Sequence, residues 1–230
     1  MLRTIFRVAA LSAMGVGSTA VAQTVIQPAA ADSKDVFIYS FLATTNFNSF
    51  PGFDGILASG RSASGHDLRS LVSFDITGVT LGAGQIATLN LFVADGSTVG
   101  FPVVNPSATF PIQADIFANT EDWNASTVTW ATQPSFSPTV VDSQTIDGVN
   151  KYITFNVTSL VQGWLANPAT NFGFSIQQPE VVVNGGSVQA VYQSAVGAQR
   201  PFLYVGPVPE PTGIAALAMA GSLLILRRRA

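Results

Sequence analysis

Short runs of alternating apolar and polar residues are the feature that most narrows the folds open to this chain. Within residues 69–76, Val72 and Phe74 would lie on one face of a strand and Ser73 and Asp75 on the other. Similar runs recur, and clusters of Gly, Pro, Asn and Asp separate them as turns do. The predicted strands are residues 36–42, 69–76, 89–93, 112–117, 153–157, 172–176, 188–192 and 202–205.

One segment has a helical period instead. Thr158 or Ser159 can cap a short helix that would end at Asn167-Pro168. Its apolar face would carry Leu160, Val161, Trp164 and Leu165. Many short strands with one short helix predict an all-β fold, an antiparallel β-sandwich or jelly roll.

The N-terminus has the three parts of an export signal. Arg3 and Arg7 give it positive charge, residues 8–16 form an apolar run, and Ala20-Val21-Ala22 is a small-x-small cleavage pattern. The apolar run is far shorter than the roughly 20 residues of a membrane span. We therefore predict a signal peptide that signal peptidase cleaves after Ala22.

The C-terminus carries an apolar run followed by positive charge. Residues 214–226 are apolar apart from Gly221 and Ser222, and Arg227-Arg228-Arg229 follow. Arginines behind an apolar segment are typical of a stop-transfer helix. A helix over residues 212–226 would rise about 22 Å, which is short of a hydrocarbon core of roughly 30 Å. This short transmembrane helix therefore predicts transient insertion in the inner membrane.

The whole tail resembles a known sorting signal. Pro209-Glu210-Pro211, the apolar helix and the arginine cluster stand in the order of the PEP-CTERM signal. The resemblance implies recognition by an exosortase and cleavage near the Pro-Glu-Pro motif. It also implies a cell-surface or extracellular-matrix protein that accompanies exopolysaccharide in biofilm or floc.

The chain is thus predicted to divide into four parts. These are a signal peptide (1–22), a flexible lead-in (23–34), a β-sandwich domain (35–206) and the sorting tail (207–230). Residues 23–206 hold twelve acidic and five basic residues, a net charge near −7, which excludes the cationic surface that nucleic acids require. The chain has no cysteine, which excludes thiolate metal sites and thiol catalysis.

Motifs along the predicted domain carry a second resemblance. They are Asp35-Val36-Phe37-Ile38, Asn46, Arg69-x-Leu71-Val72-x-Phe74-Asp75-Ile76, Ile86-Ala87-Thr88-Leu89-x-Leu91, Trp123-x-x-x-Thr127-Val128-Thr129-Trp130-x-x-x-Pro134, Phe155-x-Val157-Thr158-Ser159-Leu160-Val161-x-x-Trp164, Asn171-x-Gly173-Phe174 and Arg200-Pro201-x-Leu203-x-Val205. In this order they resemble the DNRLRE domain, a β-sandwich of secreted bacterial proteins. Some relatives of that domain are carbohydrate-binding modules for acidic or other polysaccharides. Ala125, Asn156 and Val196 stand where the family often has acidic residues.

No catalytic constellation is evident in the sequence. His66 is the only histidine, so a zinc site would depend on carboxylates around it, and we expect a solvated loop histidine. The Gly-x-Ser-x-Gly motif of serine hydrolases is absent. Glu121 and Asp122 are neighbours, and neighbours on a strand point to opposite faces. Paired carboxylates distant in sequence remain compatible with a glycoside hydrolase.

The aromatic residues are the candidate ligand contacts. Trp123, Trp130 and Trp164 lie in family motifs and are expected to be framework residues. Phe47, Phe50 and Phe53 lie in a loop rich in Gly, Pro and Asn, and they are the better candidates for stacking on sugar rings. The alternative for this loop is that it tucks over the edge of the sandwich.

No cofactor is predicted. Asp32, Asp35, Asp54 and Asp75 have the oxygen ligands that Ca²⁺ requires, but no calcium-loop spacing supports such a site.

The sequence leads to one main functional hypothesis and two alternatives. The main one is an exported, non-catalytic surface or matrix protein that binds or organises exopolysaccharide. The first alternative is a structural matrix protein that acts through protein–protein contacts. The second is a polysaccharide hydrolase or lyase. The fold alone does not decide among these functions, because function depends on the residues of the site.

Overall fold

The computed structural model describes residues 23–27, 33–48, 50–53, 55–62, 64–98, 104–178, 182–183 and 186–207. Several predictions lie outside these ranges. They concern the signal peptide with its cleavage site at Ala22, the sorting tail beyond Pro207 with Pro209, Glu210, Pro211, Arg227, Arg228 and Arg229, and the carboxylates of Asp32 and Asp54.

The described residues form thirteen strands and one α-helix. The strands are β1 (Thr24–Ile26), β2 (Lys34–Tyr39), β3 (Ile56–Arg61), β4 (Asp67–Ser73), β5 (Gln85–Ala94), β6 (Ile112–Asn119), β7 (Phe136–Ile146), β8 (Lys151–Asn156), β9 (Phe174–Gln177), β10 (Val182–Val183), β11 (Gly186–Ser187), β12 (Gln189–Gln193) and β13 (Phe202–Pro207); the helix is α1 (Thr158–Ala166).

Eleven of the strands join in one antiparallel sheet. Its order is β1-β13-β5-β12-β3-β4-β9-β6-β7, with β2 added on β4 and β8 added on β5. One edge of β4 pairs with β2, while the other pairs first with β3 and then with β9. β5 likewise pairs with β8 along one edge and with β13 and β12 along the other. The predicted antiparallel all-β fold is confirmed, with eleven of the thirteen described strands in one connected, curled sheet and β10 and β11 in a separate pair.

The main hydrophobic core is formed by strands from several parts of this sheet. On β5, the alternating pattern predicts the core residues Leu89, Leu91 and Val93, and all three are fully buried. They belong to one cluster with apolar residues of β6, β8, β9 and β13 and of helix α1. Each buried Leu or Val of this kind adds roughly 1.5–3 kcal/mol to the hydrophobic stabilisation.

A second hydrophobic core covers β2. Val36, Phe37 and Ile38 are consecutive and all at most 3% exposed, so both faces of the strand are covered. This second core also contains Phe47, from the loop after β2, and Trp123, from the segment after β6. The strand predicted at residues 36–42 is confirmed as far as Tyr39, whereas Ser40–Leu42 form a short 3-10 turn instead.

Helix α1 confirms the helical prediction, but the predicted cap is wrong, because Thr158 and Ser159 lie within the helix and Val157 holds the N-cap position without a side-chain hydrogen bond. Val161 and Trp164 are its buried residues, and Leu160 and Leu165 pack partly buried against the main core. The first helical residue, Thr158, donates its backbone N–H to Oδ1 of Asn156 at 3.1 Å. Within the part of the chain described, no helix combines the length and hydropathy needed to cross a membrane.

A glycine permits the close approach of two strands beside the helix. Gly173 has φ of +83°, and a Cβ built on it would lie 2.4 Å from the carbonyl oxygen of Val72. Its own carbonyl accepts the N–H of Asn119 at 3.0 Å. Only glycine fits here, because a side chain would be both strained and in collision with β4.

A fully buried polar pair provides a test of this packing. The hydroxyls of Tyr192 on β12 and Ser59 on β3 are 2.9 Å apart, and both residues are fully buried. We predict that Tyr192→Phe lowers the free energy of unfolding by about 1 kcal/mol, because the buried Ser59 hydroxyl loses this partner. Urea denaturation of Tyr192→Phe, Ser59→Ala and the double variant would measure the coupling. Strictly additive single effects would contradict the hydrogen bond.

Candidate functional site

The three phenylalanines of the candidate loop fold back over β2. The ring centroids of Phe37 and Phe47 are 4.4 Å apart, those of Phe47 and Phe50 are 5.3 Å apart, and those of Phe50 and Phe53 are 5.5 Å apart. Phe47 is only 3% exposed, whereas Phe50 and Phe53 are half-buried. The loop is thus tucked over the sheet, and Phe47 presents no open face for stacking. Phe53 keeps a partly exposed ring.

Asn46 fastens this loop to the segment that follows β6. Its side-chain amide donates to the carbonyl oxygens of Ala125 at 2.9 Å and Val128 at 2.6 Å. Its Oδ1 accepts the backbone N–H of Asn48 at 3.1 Å. One side chain therefore joins the two covers of β2, and it fixes the loop on which Phe47 and Phe53 lie.

A cleft of about 260 Å³ opens beside this loop, at the end of β2 where the strand begins. Phe47 and Phe53 form part of its apolar wall. Asp35, Asn48 and Ser194 add polar groups from three separate segments. The full lining is Ser33, Asp35, Val36, Phe37, Phe47, Asn48, Phe53, Gly55, Ile56, Ser194 and Val196.

Asp35 is the most unusual residue of this cleft. It is only 7% exposed and is the one buried carboxyl group among the residues that the structure describes. Its Oδ2 accepts the backbone N–H of Ala195 at 2.8 Å, and the side chain of Ser33 also hydrogen-bonds to it. Burial raises the pKa of Asp35, and the two hydrogen bonds only partly oppose this.

The cleft is suited to a small polar ligand with an apolar face. A carboxylate has about four acceptor positions, so Asp35 keeps acceptor capacity beyond the bonds from Ala195 and Ser33. Aromatic walls with a few polar groups are typical of small-ligand sites. No base lines this cleft, so it offers no positive charge to an anion.

Of the aspartates considered for Ca²⁺, the structure describes Asp35 and Asp75, and it places them in different surroundings. Asp35 lies in the cleft, whereas Asp75 is exposed and accepts the N–H of Thr77 at 2.8 Å. Among the described residues, no three His, Asp or Glu side chains are grouped to hold a metal ion.

The tryptophans serve mainly as framework. Trp123 is buried and donates its indole N–H to the carbonyl of Phe172 at 2.8 Å, and Trp164 is buried against Phe174. Trp130 is half-buried.

The guanidinium of Arg69 lies over the Trp130 ring. Its Cζ is 4.9 Å from the Trp130 ring centroid and 4.7 Å from that of Phe136. Arg69 also donates to the side chain of Gln133, so this stack ties β4 to the segment after β6.

His66 is not the freely solvated residue that the sequence suggests. It is half-buried, and its ring centroid is 4.9 Å from that of Phe41. Phe41, which sequence reasoning did not single out, is 61% exposed.

Sequence reasoning also missed Asn48 and Ser194 as cleft residues and considered Asp35 only as a cation ligand. Asp35 and Ala195 are 160 residues apart, and no local pattern signals such a contact.

The fold and the cleft together indicate a β-rich binding module. A sequence model of carbohydrate-binding module family 96 matches residues 27–205. Because this match covers well over half of the 230 residues, the chain belongs to that family. The comparison with curated proteins found no match. Family membership supports carbohydrate binding, while the resemblances to the PEP-CTERM signal and the DNRLRE domain stay predictions.

The buried carboxyl of Asp35 makes stability depend on pH in a defined direction. Its pKa is raised above the ordinary 3.8, so the folded protein holds this proton more tightly than the unfolded chain. The contribution of Asp35 to stability is therefore greatest at acidic pH and is lost as pH rises through the folded-state pKa. We predict that Asp35→Asn stabilises the protein relative to wild type increasingly as pH rises from the ordinary pKa of the carboxyl through its raised folded-state pKa, by about 1.4 kcal/mol per unit of raised pKa.

Asp75 supplies the matched control, because its effect on stability should change with pH in the opposite direction. Hydrogen bonds from the side chain and backbone of Thr77 lower the pKa of this exposed carboxyl. The contribution of Asp75 to stability is therefore present above its ordinary pKa and is lost as pH falls. Asp75→Asn should thus remove stability at neutral pH and change little in acid. Urea denaturation across the pH range measures both variants, and parallel curves for wild type and Asp35→Asn would contradict the raised pKa.

Proposed function

We propose that this protein is an exported, non-catalytic module that binds and organises extracellular polysaccharide in biofilm or floc. The observation that carries the proposal is the cleft, whose lining includes both the buried carboxyl of Asp35 and the ring of Phe53. Sugar rings combine hydroxyl donors with an apolar C–H face, and this cleft supplies an acceptor and an aromatic wall. Membership of carbohydrate-binding module family 96 supports the same ligand class.

The charges favour a neutral, hydroxyl-rich polysaccharide. Asp35 is the one charged side chain in the cleft lining, and residues 23–206 have a net charge near −7, from twelve acidic and five basic residues. A polyanionic chain would be repelled by that net charge and would find no cation in the cleft. Hydroxyl donors, in contrast, gain charge-assisted hydrogen bonds to the carboxylate.

The binding test compares neutral with acidic glycans. We predict that the purified mature protein binds neutral polysaccharides on a glycan array and native exopolysaccharide in pull-downs. Asn48→Ala and Phe53→Ala should weaken this binding about tenfold each, which corresponds to about 1.4 kcal/mol. Asn48 is exposed, so its variant tests the cleft without threatening the fold.

Val140→Ala is the matched control for the binding test. Val140 lies on β7 and is 43% exposed, and its variant should bind as wild type does. Absence of glycan binding in the wild type, or equal binding by the cleft variants and the control, would contradict the cleft proposal.

The two alternative functions have tests of their own. Normal polysaccharide retention with altered protein assembly in a deletion strain would favour the structural alternative. Hydrolase or lyase activity on a polysaccharide that disappears with one carboxylate-to-amide change would establish the enzyme alternative.

The proposal includes the route by which the domain leaves the cell. Strand β1 begins at Thr24, directly after the predicted cleavage between Ala22 and Gln23. Strand β13 ends at Pro207, directly before the predicted sorting motif. Cleavage at either position would thus leave the strands of the domain intact. The route comprises signal peptidase, transient inner-membrane insertion, an exosortase and a final position at the cell surface or in the matrix.

Mass spectrometry of the protein from the producing organism tests this route. We predict a mature chain that begins at Gln23 and ends close to Glu210. Replacement of Arg227, Arg228 and Arg229 by alanine should retain an unprocessed C-terminus, because the arginines hold the tail on the cytoplasmic side. Arg200→Ala is the control for general loss of positive charge. A mature chain that still begins at Met1 or ends at Ala230 would contradict the route.

A further inference from the structure

The opposite end of β2 carries an exposed group of aromatic rings. The turn at Ser40–Leu42 presents Phe41, which is 61% exposed. Its ring centroid is 4.9 Å from that of His66 and 5.9 Å from that of Tyr39. Tyr39 and His66 meet edge to face, with centroids 6.3 Å apart. We name Tyr39, Phe41 and His66 the ring platform.

Three backbone contacts hold the ring platform in place. Ser40 Oγ accepts the N–H of Asp67 at 2.8 Å, and Ser62 Oγ accepts the N–H of His66 at 3.0 Å. After the turn, the carbonyl of Ala43 accepts the N–H of Ala131 at 2.8 Å. The exposed ring therefore stands on a fixed turn, so little conformational entropy is lost when a ligand stacks on it.

The stability of the fold does not account for the position of Phe41. A phenylalanine gains stabilisation in proportion to the apolar area that it removes from water, and this ring leaves most of its area in water. By that criterion Phe47, which is 3% exposed, is a core residue and Phe41 is not.

Hydrogen-bonding groups lie on the segments that hold the ring platform. Arg61 and Asp67, on either side of the β3–β4 turn, form an ion pair at 3.6 Å, with side chains 38% and 49% exposed. Arg61 also donates its Nε–H to the carbonyl of Gly65 at 3.2 Å. A partly exposed Arg–Asp pair next to a ring offers both donors and acceptors to hydroxyl groups.

We propose that the ring platform is a second saccharide subsite. The apolar C–H face of a sugar ring stacks on Phe41 and His66, and its hydroxyls bond to Arg61 and Asp67. This inference rests on the proposed function, because it assigns a second contact for the same polysaccharide.

The ring platform and the cleft lie at the two ends of one face of β2. Side chains of a strand alternate between its faces, so Asp35 in the cleft and Tyr39 in the platform point to the same side. Four residues of strand separate them by roughly 13 Å, and the loop that carries Phe47 packs on Phe37 between them. A polysaccharide several units long that passes over this loop could contact both positions, whereas a monosaccharide could not. Such two-point binding increases affinity through effective concentration.

The decisive variant is Phe41→Ala in the full mature protein. The probes are soluble β-glucan, mannan, xylan and galactan, together with exopolysaccharide from the producing organism, in affinity gel electrophoresis. We expect Phe41→Ala to weaken binding of the retained polymer about tenfold and Phe41→Trp to restore it. Tyr152→Ala is the matched control, since Tyr152 is another exposed aromatic, 40% exposed, that packs on Phe92 and Phe202.

A second readout reports on the ring platform alone. His66 is the only histidine of the chain, so its imidazole signals in proton NMR are assigned without further variants. Addition of the retained polymer should shift these signals in wild type and in Tyr152→Ala, and much less in Phe41→Ala.

The outcomes separate this inference from the proposed function. Absence of binding to every probe by wild type overturns both. Binding that Asn48→Ala weakens, while Phe41→Ala leaves it unchanged and the His66 signals do not move, overturns the ring platform alone. A change of oligomeric state in Phe41→Ala, measured by analytical ultracentrifugation and without an effect on glycan binding, would make the platform a contact between copies of this chain and would likewise overturn the subsite.

Discussion

The burial of strand β2 on both faces is the constraint on which the rest of the structure depends. Six residues of β2 pair with β4 in antiparallel register, and the apolar residues at the centre of β2 require cover above and below. The loop that carries Phe47 supplies one cover and the segment that carries Trp123 supplies the other. Asn46 links the two through a pair of hydrogen bonds. The cleft and the ring platform lie at the two ends of this covered strand. The segments that cover β2 therefore help to shape both.

The sequence could predict what depends on local pattern. Alternation identified β4 and β5, and a helical period identified α1 with Val161 and Trp164 inside. It could not predict what lies over the second face of β2, because that depends on segments far along the chain. For the loop of Phe47 the sequence offered both sugar stacking and a tucked position, and the structure shows Phe47 tucked against Phe37. The sequence contained no signal for the contact between Asp35 and Ala195 that builds the cleft.

Asp35 shows how a binding group and a stabilising group differ. Its hydrogen bond to Ala195 fixes the loop after β12, yet burial disfavours its charged form and raises its pKa. An uncharged residue with the same hydrogen bond would serve the fold at least as well at neutral pH. Under the proposed function, the carboxylate would act as an acceptor for a ligand, since a buried anion makes stronger hydrogen bonds than it would in water.

The cleft and the proposed ring platform lie at different distances from the two ends of the domain. Thr24 on β1 pairs with Val205 on β13, and Thr24 lines the same open depression as Lys34, the first residue of β2. Pro207, where the predicted tail begins, lies two residues beyond Val205, a distance of roughly 7 Å. Pro207, the last residue that the structure describes, therefore lies near the start of β2, whereas the ring platform lies at the other end of that strand. Under the proposed function, C-terminal processing would take place at the end of the domain that carries the cleft, and the ring platform would lie away from it.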